Sequence, residues 1–243
     1  MFKHKGKKRT HLHNLRLASI LSFTAGIVNI TGVIAVKVLT TNVTGHFAFF
    51  ADGLVSKNYT LAILSLLFIL FFLLGSFISN FMVEITAAKY PAVSYTLPLI
   101  TEIILLTLTA FKDTFAVSHS INNNVIACVL LFTMGMQNAL VTKVSQSVVR
   151  TTHLTGLFTD LGIELSQLFF YRKAGEVRTL LKSIYLKFAI IFFFFSGCII
   201  GGFLFTLYAL KTLLLASACV VIALFYDNII YRLHYIKRRI QSA

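Results

Sequence analysis

Residues 60–83 read Thr-Leu-Ala-Ile-Leu-Ser-Leu-Leu-Phe-Ile-Leu-Phe-Phe-Leu-Leu-Gly-Ser-Phe-Ile-Ser-Asn-Phe-Met-Val and carry no charge. A bilayer core is about 30 Å thick and takes about 20 apolar residues of helix. This run therefore predicts a transmembrane helix. Five more runs of the same kind lie around it. Residues 17–36, 188–210 and 212–226 are uncharged, the last continuing in pattern to Tyr231. Residues 90–111 carry one charge, Glu102, and 114–142 carry none, with the apolar stretch beginning near Val125. All six are more apolar than an amphipathic surface helix.

Composition supports this reading. Of 243 residues, 57% are apolar and only 12% charged, with 24 phenylalanines and a mean hydropathy of +0.84. A soluble fold of this size needs a polar exterior that such a chain cannot supply. Disorder and a water-exposed nucleic-acid module are excluded as the main reading. The net charge of +14 instead follows membrane topology. If six helices cross, 18 of the 22 Lys and Arg residues fall on one side, in both tails, beside Lys89 and between Lys143 and Lys187. Only Lys37, Lys57, Lys112 and Lys211 fall on the other. The positive-inside rule then puts both termini in the cytoplasm. The first apolar segment is too long for a signal-peptide core, and no small-residue cleavage site follows Lys37, so it is expected to remain as a helix. Cys128, Cys198 and Cys219 all lie in apolar runs without metal-ligand spacing, which points to packing.

The chain repeats itself. Thr40-Thr-Asn-Val-Thr-Gly45 matches Thr151-Thr-His-Leu-Thr-Gly156. Each follows a helix with Gly-x-x-Asn, at Gly26–Asn29 and Gly135–Asn138. Each precedes a long apolar helix with Gly-x-x-Ile-x-x-Phe, at Gly75–Phe81 and Gly197–Phe203. The offsets are 109, 111 and 122, which predicts a longer loop in the second half, roughly Tyr171 to Leu181. Three landmarks in order argue for duplication. Three spans per half require the halves to be inverted, an architecture of secondary transporters with the site near the midplane. The expected fold is an all-α polytopic membrane protein of six transmembrane helices, built as two inverted three-helix repeats, each with a short re-entrant or interfacial helix. The expected divisions are a basic tail over 1–16, a first repeat over 17–111, a connecting loop over 112–124, a second repeat over 125–231 and a basic tail over 232–243.

The runs Gly135-Met-Gln-Asn-Ala139 and Arg150-Thr-Thr-His-Leu-Thr-Gly-Leu-Phe-Thr-Asp160, with the first-half Gly-x-x-Asn helix and Thr-Gly turn, resemble the YoaK-like family of bacterial inner-membrane proteins. The resemblance covers residue 15 to about 231. That family is one of unknown function, so the resemblance implies location and topology rather than activity. It also implies Asp where this chain has Asn29, and Asn where it has His46. The first departure removes a titratable carboxylate from that position.

Several residues are candidates for chemistry. Thr, Asn and Gly favour helix N-caps, so each Thr-Gly turn is expected to open a short helix, about 46–55 and Leu157 to Phe170. Helix N-termini attract anions and often face the substrate in inverted-repeat transporters. The same segments can equally lie flat on each leaflet. Glu102 lies 12 residues after Tyr90 and nine before Phe111, near mid-bilayer, where a carboxylate is costly and points either to function or to a protonated side chain bonded to a neighbouring helix. Pro98 removes the N–H that would bond the Ser94 carbonyl, which predicts a bend. Asn29, Gln137 and Asn138 are amides in equivalent spans, able to hold a polar solute or to join helices. Asp160 and Glu164 sit one turn apart and can face a cavity or pair with Arg150 or Arg172, and Asp227 can pair with a basic neighbour. His46 and His153 flank the turns without metal spacing, and no H-E-x-x-H, C-x-x-C or P-loop occurs.

The sequence thus predicts a bacterial inner-membrane, multi-pass transporter for a small polar or anionic solute, and no enzyme. The expected solute-binding residues are Asn29, Thr41, Thr44, Gly45, Glu102, Asn138, Thr152, Thr155 and Gly156, with no catalytic residue, metal or cofactor. The expected partners are the lipid bilayer and a small polar or anionic solute, not nucleic acid; an oligomer is compatible. The rival is a non-transporting membrane protein, either a scaffold or regulator or a lipid-acting enzyme.

Overall fold

The computed structural model describes residues 10–112, 122–171 and 173–226, and these are helical with no strand among them. The helices are α1 (His11–Val36), α2 (Val43–Val55), α3 (Tyr59–Lys89), α4 (Thr96–Ala110), α5 (Asn123–Ser145), α6 (Leu154–Gln167), α7 (Ala174–Tyr208) and α8 (213–226). Four segments are long and apolar enough to cross a membrane: α1, α3, α5 and Ala174–Tyr226. The last is divided by its backbone. Ala209 takes a positive φ of 48°, and Ala209–Thr212 form a single 3-10 turn between α7 and α8.

Side-chain caps set several ends. Thr10 accepts from the His13 backbone while the His13 ring bonds the Thr10 N–H. Asn58 and Asn122 likewise cap α3 and α5. α1 and α5 both end on a left-handed residue, Lys37 and Gln146, which are 109 positions apart. That is the offset of the two Gly-x-x-Asn helices.

Among the long helices, α1 and α5 are the most buried and α3 and α7 the most exposed. α1 packs along α7, and α3 along α5, while α1 and α5 also meet each other. Both long pairs are parallel. Ser76–Gly135 and Glu84–Lys143 join α3 to α5 with the same separation of 59 residues. His11–Lys182 and Cys198–Gly26 join α1 to α7 with separations of 171 and 172. The outward faces of α3 and α7 carry Leu70, Phe77, Phe81, Phe192, Phe195 and Phe203, all exposed. A belt of this kind suits contact with lipid chains rather than water.

Each parallel pair is closed by two glycines. A Cβ on Gly26 would collide with the Phe194 carbonyl, and one on Gly197 with the Phe23 carbonyl. Gly75 stands in the same way against Phe132, and Gly135 against Phe72. Beside each crossing a small side chain donates to a glycine carbonyl, Ser76 Oγ to Gly135 at 3.0 Å and Cys198 Sγ to Gly26 at 3.4 Å. Small residues let helix backbones meet where lipid gives no hydrophobic drive to association.

Four sequence expectations change. The stretch Tyr171 to Leu181 is mostly helix, because α7 starts at Ala174 and runs 35 residues; the extra residues lengthen the helix rather than a loop. The segment 90–111 opens with a 3-10 turn, Pro91–Val93, and α4 begins only at Thr96. Pro98 therefore lies in a first turn, where its missing N–H costs nothing, and it bends no helix. α4 has 15 residues, about 22 Å of rise, shorter than a full span. Finally, the short helices start at Val43 and Leu154, so Thr44–Gly45 and Thr155–Gly156 fall inside the first turn instead of before it. Arg172, Asp227, residues 1–9 of the first tail, 113–121 of the expected connecting loop and all of the tail 232–243 lie outside the described residues.

Candidate functional site

Beyond α1 the chain reverses at Lys37 and runs back along the helix it has left. Thr40 Oγ1 donates to the Val28 carbonyl at 3.3 Å, and Thr41 Oγ1 to Asn29 Oδ1 at 2.9 Å. Gly32 makes room, since a Cβ there would strike the Thr40 methyl and the Val38 carbonyl. Asn29 lies seven residues before the end of α1, so Thr41 sits about 10 Å back from that end. The second half does the same. Asn138 Nδ2 donates to Thr152 Oγ1 at 2.6 Å, and Thr151 Oγ1 donates to Asn138 Oδ1 at 3.2 Å. Asn138 likewise lies seven residues before the end of α5.

Short helices start from these set-back turns. Asn42 caps α2 by accepting from the Gly45 N–H at 3.1 Å. His153 opens α6 with no side-chain cap bond, and its ring fills the space that a Cβ on Gly156 would need. His46 is buried, with Nε2 2.8 Å from the Leu39 carbonyl and its ring edge-on to Phe68. It ties the turn to α2 and α3.

The structure thus brings four of the nine expected residues together as two pairs, Asn29–Thr41 and Asn138–Thr152. Thr44 and Thr155 are exposed on the outer side of their helices. Glu102 is only 1% exposed and sits on the buried face of α4, with Leu99 and Leu106 one turn to either side. No hydrogen bond among the described residues links the two pairs to each other or to Glu102. Asp160 is exposed, while Glu164 pairs with Lys187 at 2.6 Å and accepts from Ser183 at 2.7 Å.

Residues beyond the nine complete the interior. Gln137 of α5 is fully buried and donates to the Leu21 carbonyl of α1 at 2.9 Å. Thr107 of α4 meets Ser217 of α8 at 3.0 Å. These bonds join α1 to α5 and α4 to α8. Buried Oε1 of Gln137, Oε1 of Glu102 and Oγ of Ser22 have no partner among the described residues. Ser22 adjoins Leu21, so two of these atoms border the α1–α5 contact. An unsatisfied buried polar group costs about 1–3 kcal/mol. Gln137 was legible as an amide in an apolar span; Ser22 and the Thr107–Ser217 contact carry no sequence signal.

No group of three or more His, Cys, Asp or Glu residues that could hold a metal occurs among the described residues. Ser76, Asn80, Asn138, Thr142, Lys143 and Gln146 line a groove of about 670 Å³ between α3 and α5.

No curated protein and no solved structure matches the chain. A family profile described as protein of unknown function (DUF1275) matches residues 17–226, close to the stretch over which the Thr-Gly motifs drew their resemblance. With that match over most of its length, joined to a helical fold of long apolar segments, the chain belongs to the DUF1275 family of proteins of unknown function.

Proposed function

We propose that this protein is a secondary transporter for a small polar or anionic solute in the bacterial inner membrane. In this reading α1, α3 and α4 form one three-span repeat, and α5, α7 and α8 form its inverted copy. The two Asn–Thr pairs mark re-entrant turns that enter from opposite faces, and both termini are cytoplasmic. The paired glycine crossings, the equal set-back of the turns and the left-handed caps at Lys37 and Gln146 all support the repeat.

The observation that supports the transport reading best is that three of the seven buried side-chain oxygens without a partner among the described residues belong to Ser22, Gln137 and Glu102. A protein built only to pack would gain by replacing them with apolar groups. A solute passing between the halves must exchange its hydration for protein partners, and these oxygens can accept from the N–H or O–H groups of a polar solute. The test is a thermal-shift screen of the purified protein against amino acids, organic acids and inorganic anions, followed by uptake of each stabilising solute into proteoliposomes. Saturable uptake that Glu102→Gln or Asn138→Leu abolishes is expected. Permeability equal to that of empty liposomes for every solute would defeat the proposal.

A further inference from the structure

We infer that the groove between α3 and α5 is a headgroup site for a phospholipid carrying both a phosphate and a primary ammonium. The groove begins at the Gly75/Gly135 crossing. Ser76 and Asn80 line it from α3, and Asn138, Thr142, Lys143 and Gln146 from α5. Glu84, one turn beyond Asn80, meets Lys143 at 2.6 Å, and both side chains stay about half exposed, at 57% and 47%. The rim is apolar: Phe77 and Phe81 adjoin Ser76 and Asn80, stack at 5.9 Å and are exposed. Polar side chains therefore line part of a groove on the surface that faces acyl chains, where polar groups are costly without partners.

The architecture does not require all of this polarity, although Asn138 and Gln146 have polar counterparts in Asn29 and Lys37. At the repeat offsets, the positions equivalent to Asn80, Thr142 and Lys143 are Gly202, Val33 and Ile34, none of them polar in its side chain. There α7 closes on α1, and a Cβ on Gly201 would touch Ile30 and the Ile27 backbone. A route through the protein needs polarity at both faces, whereas a lipid of one leaflet needs it at one. The backbone is asymmetric in the same sense. Gln146 and Ser147 both hold positive φ, 54° and 64°, while the equivalent turn does so only at Lys37. Each such residue costs a non-glycine about 1–2 kcal/mol, and the double turn sets Gln146 at the groove.

Charge selects the ligand class. Lys143 and Glu84 bring both signs of charge to the groove, so the site offers a partner to each end of a headgroup carrying both signs. A phosphate beside the Lys143 ammonium and a primary ammonium beside the Glu84 carboxylate turn one ion pair into two. A choline headgroup has no N–H to donate to Glu84, Asn80 or Gln146.

The test is independent of transport. The chain has no tryptophan, so Phe81→Trp supplies a sole reporter at the groove, and Phe203→Trp supplies one at the equivalent exposed position of α7. Each variant is placed in bilayers with acyl-brominated lipids bearing ethanolamine, choline or glycerol headgroups, and fluorescence quenching is titrated. At position 81 the ethanolamine lipid is expected to win over choline by about fivefold, the worth of one net hydrogen bond. Position 203 is expected to show no preference. Adding Asn80→Leu or Lys143→Gln, both at exposed positions, should remove the preference at 81. Equal behaviour at the two reporters, a preference for the glycerol headgroup, or a preference that survives both substitutions would overturn the assignment.

Discussion

Gln137 reaches from α5 to the backbone of Leu21 on α1, 116 residues away, and donates to its carbonyl at 2.9 Å. The contact lies where α1 and α5 meet, the two helices that carry the Gly-x-x-Asn motif. It uses one N–H of the amide and leaves Oε1 buried without a partner among the described residues. An interhelical bond of this kind in a membrane is worth about 1 kcal/mol, and the orphaned oxygen offsets much of that. The amide is thus poorly explained as glue. Gln137→Leu, close in volume, is expected to change the thermal midpoint in detergent little while abolishing the shift produced by any solute that stabilises the parent. A large loss of stability would return Gln137 to a structural role.

The glycine crossings make a sharper claim about packing. At Gly135 a Cβ would meet the Phe72 carbonyl, a backbone atom that cannot swing away. At Gly162, also helical, a Cβ would meet nothing within 4 Å. Gly135→Ala is expected to cost about 1–3 kcal/mol through overpacking, whereas Gly162→Ala should be neutral or stabilising by up to about 1 kcal/mol through helix propensity. Gly26→Ala and Gly75→Ala should behave like Gly135→Ala. Thermal unfolding of the four variants checks the ranking, and equal effects at 135 and 162 would refute it.

Much of the fold was legible because its signals are local. Uncharged length announces a long helix, and residues 60–83 fall within α3. The glycines at 26, 75, 135 and 197 are landmarks of the sequence repeat, and all four lie at crossings. The starts of α2 and α6 differ from the expectation because Thr and Gly are good cap residues in general. Here the cap is Asn42 in one half, while His153 makes no side-chain cap bond in the other. The pairing of Glu164 with Lys187 was also beyond reach. It depends on α7 starting early enough to bring Lys187 beside α6, and the offset of 122 gave the extra length without its conformation.

That ion pair can be probed on its own. The Glu164 and Lys187 side chains are 18% and 13% exposed, and Ser183 completes the cluster. Removing one partner strands a largely buried charge, whereas removing both does not. Lys187→Met is expected to cost about 3 kcal/mol, and Glu164→Gln with Lys187→Met to recover most of that loss. Detergent unfolding of the two single variants and the double variant measures the coupling. Additive losses would mean that the pair is screened by water and carries little.

The set-back turns yield the test that separates a re-entrant segment from one lying at the headgroups. Thr41 and Thr152 bond amides seven residues inside their helices, about 10 Å from each end. In a re-entrant turn these positions lie within the bilayer, and the first turns of α2 and α6 direct N–H groups inward from there. With Cys128, Cys198 and Cys219 replaced by Ser, single cysteines are placed at Thr41→Cys and Thr152→Cys, with Lys37→Cys and Gln146→Cys as references at the helix ends. A charged, membrane-impermeant maleimide is then applied from either side of sealed vesicles. The references should label rapidly, Lys37→Cys only from outside and Gln146→Cys only from the cytoplasmic side, as opposite orientation of the halves demands. Thr41→Cys and Thr152→Cys should label at least about tenfold more slowly, and a solute found by the thermal-shift screen should slow both further. Labelling as fast as the references would place both turns at the surface and remove them from any solute site. Labelling of both references from the same side would instead rule out the inverted repeat, whatever the depth of the turns.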